Sequence, residues 1–101
     1  MSEELSRSTR IVLVTGASRG IGRAAALALA AQGAHVIAVA RTVGGLEELD
    51  DAIKSAGGSA TLVPLDLKDY AGIDRMGAAI FERWGRLDGL LGNAEIGRAH
   101  V

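Results

Sequence analysis

A glycine-rich turn between a β-branched run and an alanine-leucine run limits what this chain can fold into more than any other feature. Ile11-Val-Leu-Val14 is apolar without alternation, the pattern of a strand covered on both faces in a parallel sheet. Thr15-Gly-Ala-Ser-Arg-Gly-Ile-Gly22 follows directly, with glycines spaced G-x-x-x-G-x-G. The next stretch, Arg23-Ala-Ala-Ala-Leu-Ala-Leu-Ala-Ala-Gln32, is rich in the best helix formers and stops at Gly33, a residue suited to a left-handed cap. Strand, tight loop and helix in this order open a parallel α/β unit.

The rest of the chain repeats that unit. Val36-Ile-Ala-Val-Ala40 reads as a second buried strand, and Leu46, Leu49, Ile53 and Ala56 recur at helical spacing before Gly57-Gly58. Ala60-Thr-Leu-Val63 is a third strand. Asp69 is placed to N-cap a helix whose apolar face is Ile73, Met76, Ile80 and Trp84, and Leu87-Asp-Gly-Leu-Leu91 makes a fourth strand. Strands alternating with helices imply right-handed crossovers and an α/β fold, the N-terminal part of a doubly wound parallel sheet with four strands in the order 3-2-1-4 and three helices. The single proline, Pro64, agrees with that order, because the third strand lies at an edge where a missing ladder N–H is tolerated.

Composition narrows the class of function. With Lys+Arg 11 against Asp+Glu 12, the chain carries no electrostatic footprint for nucleic acid or an anionic membrane. The absence of cysteine excludes a disulfide scaffold and thiolate metal sites, and His35 and His100 lack ligand spacing. The longest apolar run, Ala24 to Ala31, falls far short of the roughly 20 residues that span a bilayer. Residues 1–9 are polar with mixed charge and read as a disordered leader without a secretory signal, so a cytoplasmic protein is expected.

The glycine loop has a specific chemistry. Without Cβ atoms the chain turns sharply and its backbone can approach a pyrophosphate, while unpaired N–H groups at the helix start face the anion. The helix dipole adds about 0.3 to 1 kcal/mol. A nucleoside-triphosphate P-loop needs G-x-x-x-x-G-K-[ST], and no lysine or hydroxyl residue stands at the corresponding positions around Ile21 and Gly22.

With Leu65-Asp-Leu67 and Leu91-Gly-Asn-Ala94 following in order, the sequence resembles the short-chain dehydrogenase/reductase family over about residues 10 to 94. The resemblance implies a Rossmann-type fold and an N-terminal cofactor-binding part. In the loop it points to Gly16, Ser18, Arg19, Gly20, Ile21 and Gly22 for the cofactor pyrophosphate. It further implies Asp66, with Leu67 beside it, for the adenine amino group, and Asn93-Ala94 for the adenine ribose. The family's common Asn-Asn-Ala-Gly is altered here, with Gly92 for the first Asn and Glu95 for the Gly.

Cofactor choice turns on the end of the second strand, Val39-Ala-Arg41. An acidic residue there would bind a ribose 2′-OH and repel a 2′-phosphate. Arg41, with Arg19 in the loop, instead offers charge-assisted hydrogen bonds to the 2′-phosphate, each worth roughly 1.5 to 3 kcal/mol. NADP(H) is therefore expected in preference to NAD(H).

Other conspicuous residues read as structural. Tyr70 is the only tyrosine, and the family's Tyr-x-x-x-Lys would place a lysine where Asp74 stands, so Tyr70 is expected to pack at a helix start. His35 reads as an exposed edge histidine, Glu47, Glu48, Asp50 and Asp51 as a solvated helix face, and Trp84 with Ile80 and Phe81 as core. The family's reaction is hydride transfer between nicotinamide and a carbonyl or secondary alcohol, carried by a Ser, Tyr and Lys expected beyond this segment. By itself the chain is thus expected to be inactive, and the resemblance implies a small-molecule substrate and a homo-oligomer for the whole enzyme. Residues 95–101 are expected to be non-native: one coding possibility, ending in a stop codon, contains from its second base the start of a common sequencing adapter. A non-catalytic nucleotide-binding module is the alternative reading, distinguished by dinucleotide binding without turnover.

Overall fold

The computed structural model describes residues 9–92. The leader up to residue 8, Asn93, Ala94 and the tail 95–101 lie outside the described residues. Within them the chain runs β1 (Ile11–Thr15), α1 (Gly20–Ala31), β2 (His35–Ala40), α2 (Val43–Ser55), β3 (Ser59–Pro64), α3 (Tyr70–Trp84) and β4 (Gly89–Leu91). All strand pairs are parallel and the sheet order is β3-β2-β1-β4. This is the Rossmann-type order expected of the N-terminal part of a doubly wound fold.

The two central strands are covered on both faces, which explains why β1 and β2 are apolar without alternation. Val12, Val14, Val36, Ala38 and Ala40 pack with Ala26 and Ala30 of α1 and with Leu46, Leu49 and Ile53 of α2. Ile11, Leu13, Ile37 and Val39 pack against Ile80 of α3, with Met76 and Trp84 partly buried beside them. Complete burial of residues such as Leu49 and Ile53 contributes about 1.5 to 3 kcal/mol each. Helix boundaries follow local chemistry. Gly33, at φ +94°, turns the chain out of α1. Asp69 caps α3, its Oδ1 accepting a hydrogen bond from the Gly72 N–H at 3.0 Å. Pro64 ends the edge strand β3, opposite Ala40.

Several expectations change. The fourth strand begins at Gly89 rather than Leu87, because Asp88 uses both its backbone and its side chain on Ile11 before the ladder starts. His35 belongs to β2 and is 4% exposed, not an exposed edge residue. Tyr70 is 77% exposed and does not pack at the start of α3, and Phe81 points out of the core at 69% exposure. Ala56 is exposed and ends α2 instead of extending its apolar face.

Candidate functional site

A parallel sheet brings the carboxyl ends of its strands to one edge, so the segments after β1, β2 and β3 meet there. The glycine loop is shaped by two residues in the left-handed region, Gly16 at φ +64° and Gly20 at φ +63°, a conformation that costs other residues the Cβ clash glycine lacks. Ala17 is completely buried, and its N–H donates to the Val39 carbonyl at 3.1 Å, pinning the loop to β2. Arg19 occupies the N-cap of α1 in an extended conformation, with no side chain capping the first turn. The opening N–H groups of α1 therefore have no side-chain acceptor at the cap, and Gly20 and Ile21, both exposed, carry that turn along the surface. Gly22 is buried and Ser18 is half-buried.

Arg41 follows β2 directly, and Thr42 caps α2 without a side-chain hydrogen bond. The side chains of Arg19 and Arg41 are exposed, and neither forms a hydrogen bond or salt bridge with another of the described residues. After β3, the Asp66 carboxylate accepts the Lys68 N–H at 3.0 Å and its carbonyl accepts the Asp69 N–H at 2.8 Å, a tight turn that leaves the Asp66 side chain exposed. Leu67 is half-buried against the α3 side of the core. The structure thus brings together the loop residues, Arg41 and Asp66 at one edge, whereas Asn93 and Ala94 lie outside the described residues.

At the opposite edge the polar groups are occupied by one another. His35 Nδ1 pairs with Ser59 Oγ and Nε2 with Thr61 Oγ1, both at 2.8 Å, and its ring lies 5.3 Å from that of Trp84. Burial lowers the His35 pKa, and the nearby Arg83 lowers it further. The Asp88 carboxylate accepts the Ile11 N–H at 2.8 Å, which holds it below the usual carboxylate range with help from Arg86 at 3.0 Å. Arg86 also donates to the Thr9 carbonyl. Sequence reasoning missed this cluster, and it missed a close approach of Gly45 in α2 to Ser18 in the loop. The visible signal for the latter is a Gly44-Gly45 pair inside a helix, which runs against helix propensity.

Among the described residues no group of three or more His, Asp or Glu side chains is placed to hold a metal ion, and no helix is long and apolar enough to cross a membrane. The sequence profile of the short chain dehydrogenases matches residues 10–101. A fatty acyl-CoA reductase of Acinetobacter baylyi is 45% identical over 85 residues, covering 84% of this chain and 29% of that protein. The crystal structure of a metagenomic short-chain oxidoreductase in complex with NADP superposes with a TM-score of 0.81 at 39% identity, covering 84% of this chain and 38% of the other. Carveol dehydrogenase from Mycobacterium avium, in complex with NAD, gives a TM-score of 0.76 at 27% identity, with coverages of 88% and 37%. The chain spans about a third of the length of these proteins.

Proposed function

This chain belongs to the short-chain dehydrogenase family, and from that premise we propose that it is the cofactor-binding part of an oxidoreductase that takes NADP(H) in preference to NAD(H). The observation that carries the choice is the pair of exposed guanidiniums, Arg19 and Arg41, beside an uncapped helix N-terminus. The loop backbone from Gly16 to Gly22 suits a pyrophosphate, because its glycines open the turn and α1 presents N–H groups. Arg19 and Arg41 supply planar donors for a 2′-phosphate, and no acidic residue stands at the end of β2 to receive a 2′-OH. Asp66 and Leu67, with Asn93 and Ala94, complete the adenosine side of this reading. When bound, the cofactor would supply hydride for a reduction or accept it in an oxidation; the residues of this segment would bind and orient it. By kinship, the whole protein reduces a carbonyl or oxidises a secondary alcohol.

The test is a calorimetric titration of the chain with NADPH and NADH. NADPH should bind at least about tenfold more tightly, since a charge-assisted hydrogen bond is worth roughly 1.5 to 3 kcal/mol and 1.4 kcal/mol is tenfold. Arg41→Asp should reverse the preference. Equal affinities in the unaltered chain, or a variant that loses both cofactors equally, would overturn the NADP(H) assignment.

A further inference from the structure

We propose that Gly45 is a positioning residue for cofactor discrimination: by lacking a Cβ it lets the first turn of α2 lie directly on the glycine loop, which fixes the spacing between Arg19 and Arg41. This deepens the NADP(H) reading and rests on it.

Helix α2 opens Val43-Gly-Gly-Leu46, with two poor helix formers in its first turn. The two glycines occupy different surroundings. A Cβ added to Gly44 would meet nothing within 4 Å. A Cβ added to Gly45 would lie 2.7 Å from Ser18 Cβ and 3.2 Å from Thr42 Oγ1. Carbon atoms in contact settle at about 3.5 to 4.0 Å, so the first approach is deeply repulsive. Rotation of Ser18 cannot relieve it, because a Cβ is fixed to its own backbone. The loop or the helix must move.

Both are anchored on the far side of the contact residues in the chain. Ala17 is fully buried and hydrogen-bonded to Val39, while Leu46 and Leu49 hold α2 in the core at 1% and 0% exposure. The displacement therefore falls on the short segments in between, Ser18-Arg19 and Arg41-Thr42. Those segments carry the two guanidiniums. A 2′-phosphate held from both sides is sensitive to their separation, whereas a pyrophosphate held by loop N–H groups depends on the loop's internal shape. An added methyl group at Gly45 should thus cost NADPH far more than NADH.

The experiment measures NADPH and NADH dissociation constants by calorimetry for the full chain and for Gly45→Ala, Gly44→Ala, Ser18→Gly and the double variant Ser18→Gly/Gly45→Ala, with circular dichroism on each. The unaltered chain should favour NADPH; if it does not, the NADP(H) reading fails at that step, whatever the variants do. Given that preference, Gly45→Ala should lower the NADPH-to-NADH affinity ratio about tenfold, the size expected for loss of one charge-assisted bond. Gly44→Ala should leave the ratio unchanged, and in the double variant the ratio should return to that of Ser18→Gly alone, the reference that carries whatever change follows from Ser18's own place in the cofactor loop. An unchanged ratio in Gly45→Ala, an equal loss of both cofactors, or no rescue by Ser18→Gly would overturn the role of Gly45 and leave the NADP(H) reading standing. Should Gly45→Ala fail to fold, the double variant decides: recovery of fold and ratio supports the proposal, and recovery of neither overturns it.

Discussion

The two edges of the sheet treat their polar side chains in opposite ways. At the amino ends of the strands, His35 pairs with Ser59 and Thr61, and Asp88 pairs with Ile11 and Arg86. At the carboxyl ends, the Arg19 and Arg41 side chains have no partner among the described residues, and the N-terminus of α1 has no side-chain cap. A polar group answered from within the fold contributes to stability, while one left open to solvent costs the fold little and remains available to a ligand. A charge change at Arg19 or Arg41 should therefore cost folding little, whereas one at His35 or Asp88 should cost it more.

The largest effect belongs to charge reversal at the open edge. Arg41→Asp should swing the NADPH-to-NADH ratio by about a hundredfold, the combined result of losing a charge-assisted bond and gaining repulsion, while the melting temperature stays where it was. A fall in melting temperature would show that Arg41 belongs to the fold after all. Next in size is His35→Ala at the closed edge. It strips partners from two hydroxyls and removes a ring packed near Trp84, and should destabilise by about 1 to 3 kcal/mol in urea unfolding. The cofactor ratio should not move. Asp69→Ala, which deletes the cap of α3, should cost about 1 kcal/mol by the same assay.

The smallest effect is a pH dependence that distinguishes the edges. His35 has its pKa lowered in the folded chain by burial and by Arg83, so the unfolded chain binds a proton more readily. Stability should be level at neutral pH and above, and should decline as pH falls below about 6.5, the ordinary histidine value. Asp88, held low by the Ile11 N–H, keeps its contribution through that interval and loses it only in the more acidic carboxylate range. Urea unfolding across this range should therefore show a histidine-dependent slope that disappears in His35→Ala. A slope unchanged in the variant would assign it to another group.

Much of this comparison is legible in the sequence. The β-branched runs of β1 and β2, the glycines of the first loop, the cap at Asp69 and the edge position of Pro64 each act through local geometry, so the sheet order and the candidate pyrophosphate loop follow from them. The environment of His35 does not. It depends on the register that sets His35 opposite Ser59 and on Trp84, almost fifty residues later, reaching the same place. Local reasoning left the histidine at a solvated edge because nothing near it in the chain announces its partners. Tyr70 and Phe81 went astray for a related reason: an aromatic residue carries a prior for burial, but the turn of α3 decides which side faces the sheet. The Gly44-Gly45 pair sits between these cases, since its poor helix propensity is visible while the approach of Ser18 is not.

The most direct measurement follows backbone amide resonances of the chain while NADPH is added. Binding at the open edge should shift Gly16 to Gly22 and Arg41, and should leave His35, Ser59, Thr61 and Asp88 in place. Shifts centred on His35 and Asp88, or none at the glycine loop at saturating NADPH, would contradict the division between a ligand edge and a structural one.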